Sequence, residues 1–299
     1  MNIRKANTCT GHRAALYALA SGRTDRHIRS AGGDGWIVEW SLDDPETGTL
    51  IASVETRLFS LCTLPDPAKL VAGNMDGGVH WINLSEPGKT RNIRHHKKGV
   101  YDILAREGRV YTAGGDGVLT LWDADAGKSM ESFQLSAHAL RCIAFSEQRG
   151  ELAVGASDNT IYLLDAETLA LNQTLKNAHD NSVFSIAYAP DNRYLFSGGR
   201  DAMLRVWDSE NDYSLISEQA AHLFTINHLV FSPDGHLLAT ASRDKTIRIW
   251  NAHSLELLKV IDVLKYGGHI NSVNRLHWTP DFLVSCSDDR TIILWEISI

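Results

Sequence analysis

Seven times along this chain, a short run of alternating residues follows a small-residue stretch and an aspartate. The segments read AGGDGWIVEWS, AGNMDGGVHWIN, AGGDGVLTLWD, VGASDNTIYLLD, SGGRDAMLRVWD, TASRDKTIRIWN and SCSDDRTIILWE. Alternation of β-branched, aromatic and other side chains at period two predicts a strand after each aspartate. In TIILW and VLTLW both faces are apolar, which predicts a strand buried on both sides, between two other sheets. The glycine-rich stretch with its aspartate predicts a tight turn into that strand. SPDG at 232–235 and APDN at 189–192 predict further turns. The aspartates are Asp34, Asp76, Asp116, Asp158, Asp201, Asp244 and Asp289, spaced 42, 40, 42, 43, 43 and 45 residues apart. A period of that length holds one four-stranded sheet. One such sheet cannot cover its own apolar faces, so stacking in a ring supplies the missing partners.

These residues resemble the WD40 family over essentially the whole chain. The WD dipeptide appears as Trp122-Asp123 and Trp207-Asp208, with variants Trp40-Ser41, Trp250-Asn251 and Trp295-Glu296. Repeats two and four depart, with Ile82-Asn83 and Leu164-Asp165. Gly11-His12 and Gly268-His269 open two repeats, and alanine precedes His179 and His222 in two more. The resemblance implies an all-β, seven-bladed propeller of four-stranded antiparallel blades, with residues 1–299 in one domain. It also implies that the N-terminal strand completes the last blade. The last repeat ends at its third strand, so residues near Ile3–Cys9 are expected beside Ile292–Ile297, which removes two exposed sheet edges.

The family's blades share a hydrogen-bond network of a His, a Ser or Thr, an Asp and a Trp. Five repeats match it: His12/Ser30/Asp34/Trp40, His96/Thr112/Asp116/Trp122, His179/Ser197/Asp201/Trp207, His222/Thr240/Asp244/Trp250 and His269/Ser285/Asp289/Trp295. A Ser–His–Asp set invites a hydrolase reading, but one triad in five copies, each capped by a Trp, is expected to be structural. Repeats two and four lack the set, with Ala72 and Ile82 in one, Val154 and Leu164 in the other, and His138 two residues off position. These two blades are expected to be the softer ones unless apolar packing compensates.

Charge and composition narrow the function classes. A net charge of −7 gives no general attraction to nucleic acid or to an anionic membrane. Cys9, Cys62, Cys142 and Cys286 form no CxxC pair, so a zinc ribbon or redox motif is unsupported, and scattered thiols suit a reducing compartment. The N-terminal residues lack the apolar run of a secretory signal, and no stretch approaches the roughly 20 apolar residues of a membrane helix. A cytoplasmic protein is expected, with the nucleus as an alternative. The AGGDG stretches at 31–35 and 113–117 precede strands rather than the helix a phosphate loop needs. His95-His96, Lys97-Lys98, Asp43-Asp44 and Asp288-Asp289 read as turn and loop residues. No metal, cofactor or catalytic site is expected.

The expected activity is that of a protein–protein interaction scaffold. Propellers of this family bind partners mostly on the face where the fourth-to-first and second-to-third strand loops emerge. There, the position just after the first apolar residue of each first strand faces the central mouth. A uniform count of 17 residues back from the turn aspartate is expected to mark it. The residues assigned are Tyr17, Phe59, Tyr101, Arg141, Phe184, Asn227 and Asn274. The residues just before each turn aspartate are expected beside them: Gly33, Met75, Gly115, Ser157, Arg200, Arg243 and Asp288. Arg57 is expected to join this group. Tyr, Phe and Arg are the side chains that anchor interfaces, and the arginines suit an acidic or phosphorylated peptide. A lysine or arginine boxed by the aromatics is the competing ligand. The chain is expected to be monomeric on its own. Two other classes remain as alternatives: a propeller-based enzyme and a nucleic-acid-binding module using the same face.

Overall fold

The strand after each turn aspartate is the third of four in an antiparallel sheet. Seven such sheets make up the computed structural model, which describes residues 1–298. Residues 16–53 form blade one, 58–94 blade two, 100–134 blade three, 140–175 blade four, 183–220 blade five and 226–261 blade six. Blade seven takes three strands from residues 273–298 and its outer strand, Asn2–Cys9, from the N-terminus. That strand pairs antiparallel with Ile292–Ser298, Ile3 opposite Ile297 and Cys9 opposite Ile292. The closure expected from the sequence is therefore present. Pro87–Lys89 and Val263–Tyr266 form short helical turns between strands. No helix among the described residues is long and apolar enough to cross a membrane.

Burial follows strand position. The third strand of blade one, Trp36–Ser41, is buried through its four central residues, as a strand covered on both faces must be. The fourth strand of blade three, Lys128–Gln134, has no buried residue, because it forms the rim. The core divides into seven apolar patches, one for each pair of neighbouring blades. The patch between blades seven and one joins Cys9, Val284 and Ile292 to Leu16, Ile28 and Trp40. The seam where the chain ends meet is thus packed like the other six.

The turn aspartates have a local reason. In six blades one carboxylate oxygen accepts the N–H two residues on, at Trp36, Val118, Thr160, Met203, Thr246 and Thr291. The residue in between adopts the left-handed conformation in every blade: Gly35, Gly77, Gly117, Asn159, Ala202, Lys245 and Arg290. Glycine suits that conformation at no steric cost. At Gly117 the requirement is doubled, because an added Cβ would lie 1.9 Å from the Ser136 carbonyl oxygen.

Candidate functional site

The five complete networks share one geometry. In each, His Nδ1 lies 2.8–3.2 Å from the aspartate, and His Nε2 lies 2.8 Å from the Ser or Thr hydroxyl. The indole N–H donates to that hydroxyl at 2.8–3.0 Å. The donors run in one direction, from indole to hydroxyl, hydroxyl to Nε2, and Nδ1–H to carboxylate. Ser30, Thr112, Ser197, Thr240 and Ser285 are fully buried, so no substrate reaches these hydroxyls. Both imidazole nitrogens are engaged, which leaves no free base.

The network sets how the protein responds to acid. Burial pushes the carboxyls of Asp34, Asp116, Asp201, Asp244 and Asp289 up, but hydrogen bonds from histidine and backbone N–H groups outweigh it. All five end below the ordinary carboxylate range, Asp201 at about 2. Burial also holds His96 and His222 below the usual imidazole value, and holds His277, which also feels Arg275, at about 4. For each of these groups the unfolded chain binds protons first, so acid favours unfolding. Full stability is expected above roughly pH 6.5, with one loss as the histidines charge and a second below roughly pH 4 as the aspartates protonate. Urea midpoints at about pH 7, 5 and 3 should fall in that order. A midpoint that rises on acidification would contradict the assignment.

Blades two and four resolve their missing networks differently. In blade four, Val154 and Leu164 are fully buried in the patch shared with blade three. Ser136 takes the place of the histidine and donates to Asp158, which also accepts from Tyr162 Oη at 2.6 Å. His138 is exposed, and only its backbone N–H takes part, donating to Ser136 Oγ. In blade two, Asn74 replaces the aspartate as the turn acceptor, taking the N–H groups of Asp76 and Gly78, and Asp76 is exposed. Trp81 stands one residue before the expected Trp position. One step along a strand reverses the face, so its ring packs on Trp122 of blade three at 5.9 Å.

The residues assigned to the central mouth form a near-continuous circle. Tyr17 meets Phe59 edge-on at 5.3 Å, and Phe59 stacks on Tyr101 at 5.5 Å. The Arg141 guanidinium lies 4.3 Å from the Tyr101 ring centre and 5.1 Å from that of Phe184, and its Nε donates to Ser157 Oγ. Asn227 donates to the Val273 carbonyl, and Asn274 donates to the Leu16 carbonyl and to Asp288. All seven are half-buried.

The uniform count of 17 fails in blades three and seven, where Tyr101 and Asn274 precede Asp116 and Asp289 by 15 residues. The reason is a first hairpin shorter by two residues. Val100 pairs with Gly114 and Val273 with Ser287, whereas in blade one Leu16 pairs with Gly32. Residues before the turn aspartates do lie alongside. In every blade their N–H donates to a carbonyl just ahead of the first strand, as from Met75 to Arg57, Arg200 to Ser182 and Arg243 to Thr225. Arg57, Arg200 and Arg243 are exposed, and among the described residues none has a side-chain hydrogen bond or ion pair. Burial raises the Tyr17 hydroxyl pKa, with Asp288 adding to the rise and Arg57 opposing it, which places both charges near that ring.

Counting by repeats misses two features. Leu223 and Phe224, 79% and 58% exposed, follow His222 on this face, and the Phe224 carbonyl bonds to Ser242, the neighbour of Arg243. Beneath the mouth, Arg275 of blade seven reaches Asp102 of blade three at 3.0 Å, across the channel. Asp102 also accepts the Ile143 N–H. The signal for this pair was a charge at the third position of the first strand, in VYDILAR and VNRLHW, where blades one, two, four and five carry Ala18, Ser60, Cys142 and Ser185.

Seven blades, each sharing an apolar patch with its two neighbours and the last closed by the first strand, define a circular β-propeller. The family model "WD domain, G-beta repeat" matches residues 129–165, 170–208, 213–251 and 260–296, and the chain belongs to the WD40 family. It is similar to Protein tipD of Dictyostelium discoideum, 23% identical over 202 residues, 67% of this chain and 33% of that protein. It is 28% identical over 194 residues to the Ribosome biogenesis protein WDR12 homolog of Brugia malayi, 61% of this chain and 39% of that one. To the Guanine nucleotide-binding protein subunit beta of Zea mays it is 22% identical over 224 residues, 70% and 59% of the two chains. The matches thus span less than two thirds of each relative. The WD40 beta propeller domain of Doa1 superimposes with a TM-score of 0.87 over 99% of this chain and 97% of that one, at 19% identity, which shows the fold. Propellers of this family are in general non-catalytic scaffolds for other proteins.

Proposed function

We propose that this chain is a non-catalytic adaptor whose mouth face captures an acidic or phosphorylated segment of a partner protein. The observation that carries the reading is the set of exposed, unpaired arginines, Arg57, Arg200 and Arg243, around a half-buried aromatic circle. Arginine forks match carboxylate and phosphate oxygens, and the aromatics supply rigid contact area. Leu223 and Phe224 add an apolar anchor beside Arg243. The competing ligand, a partner lysine or arginine, needs open aromatic faces. Arg141 already lies over Tyr101 and Phe184, so the chain's own cation uses two of them. The five His/Ser-Thr/Asp/Trp networks serve in this reading as blade fasteners rather than as active sites.

Binding of acidic, phosphorylated and basic peptide pools to the wild-type chain tests this, alongside Arg141→Glu and Phe184→Ala. Both variants are expected to keep the wild-type circular dichroism and to lose at least about tenfold in affinity for the acidic or phosphorylated pool. Equal affinity in the variants, or preference for the basic pool, would refute the assignment.

A further inference from the structure

Blade two differs from its neighbours in the space that faces blade one. In five blades an indole and an imidazole fill this space. In blade two, Ile82 stands at the Trp position and Val54 at the His position. Ser53 and Thr90 stand where Gly11 and Gly48 face the tip of the Trp40 ring in blade one. Blade four closes the same gap with Val154, Leu164 and a substitute hydrogen-bond set. Blade two does not. A groove of about 810 Å³ remains, with Ile51, Val54, Ile82 and Leu84 as its apolar wall. That size is typical of a ligand site.

Two polar atoms in the groove lining lack partners. His80, on the same strand face as Ile82, is only 7% exposed. Its Nδ1 lies 2.7 Å from Asn92 Oδ1 and donates to it, which leaves the Nε2 lone pair as an acceptor. Nε2 is buried and has no hydrogen-bond partner in the protein, and the same holds for Thr56 Oγ1. A buried acceptor left unpaired is costly, and a ligand that donates to it recovers that cost.

We infer that this groove binds the indole side chain of a tryptophan from a partner protein, with the indole N–H donating to His80 Nε2. The sister blades supply the argument. There, the same space between neighbouring blades holds an indole whose N–H donates to one buried acceptor, as Trp40 does to Ser30 at 2.8 Å. The groove also has an apolar wall and a buried acceptor without a partner, His80 Nε2. That acceptor is on the third strand, opposite Ala72, which stands where the sister blades carry their Ser or Thr. No ring fills the groove. It opens between the outer strands of blades one and two, away from the central mouth, so it is a second, independent contact point.

The test is a titration of the intact chain, labelled at isoleucine methyls, with N-acetyl-tryptophanamide. Saturable shifts are expected at Ile51 and Ile82, with a dissociation constant on the order of 1 mM for so small a probe. N-acetyl-phenylalaninamide, which lacks the ring donor, is expected to bind about fivefold to tenfold more weakly. Ile82→Trp, which fills the groove from within, should abolish the shift at Ile51, and Arg141→Glu should leave it unchanged. The wild-type measurement stands even if a variant fails to fold. No saturable shift up to roughly 10 mM, shifts confined to the mouth, or equal affinity for the phenylalanine analogue overturns the inference. Tighter binding of free tryptophan than of the capped form also overturns it, in favour of a small-molecule site.

Discussion

Replacing Trp295 by alanine is expected to lower the unfolding free energy by about 4 kcal/mol. Trp295 is fully buried in the patch between blades six and seven. Truncation leaves a cavity there and removes the N–H that satisfies Ser285 Oγ, itself bonded to His269 and through it to Asp289. A loss of that size is a large share of the 5–15 kcal/mol that holds a typical domain folded. Ile82→Ala in blade two is the control. Its side chain borders an open groove, so solvent replaces part of the lost contact and a loss of only about 1–2 kcal/mol is expected. Urea unfolding of the two variants separates these outcomes. Equal losses would mean that the buried network adds nothing beyond apolar area.

Removal of residues 1–9 is expected to abolish cooperative folding. The strand Asn2–Cys9 supplies seven residue pairs along Ile292–Ser298 and places Ile3 and Cys9 in the core. At roughly 0.5–1 kcal/mol for each backbone hydrogen bond, the pairing is worth about 5 kcal/mol before apolar burial is counted. The exposed pair Arg4–Glu296 adds little to this. The truncated chain also presents the unpaired edge of a strand carrying Ile292, Ile293 and Leu294, which templates association. Size-exclusion chromatography is expected to show oligomers, and a separate peptide of residues 1–9 is expected to restore the monomeric peak. A monomer with an unchanged urea midpoint would show that the outer strand of blade seven is dispensable.

Some features were readable because they repeat. An aspartate, a left-handed residue and a doubly buried strand recur at one period, so seven weak local signals reinforce each other. The same recurrence carried the mouth position implied by the family resemblance from blade to blade, to Tyr17, Phe59, Arg141, Phe184 and Asn227. Counting failed where hairpin length varied. Tyr101 and Asn274 keep their place on the circle although their distance to the turn aspartate shortens, because the strand pairing holds them and the loop absorbs the difference.

The seven-fold period, the tight turns and the doubly buried strand after each aspartate were settled by the chain alone, since each rests on local turn chemistry and period-two alternation. The strand order and the closure of the last blade by the first strand were what the resemblance to the WD40 family implied, and the pairing of the chain ends bears them out. Contacts between distant segments were settled only in three dimensions. Arg275 and Asp102 meet across the channel although 173 positions separate them. Trp81 turns to blade three because a single step along a strand reverses its direction. Val154 and Leu164 close the gap in blade four, while Ile82 and Val54 leave one in blade two, and that difference depends on which neighbours reach into the space. Local rules act within a few residues, whereas a cavity or a buried charge pair is decided by the packing of elements from different blades.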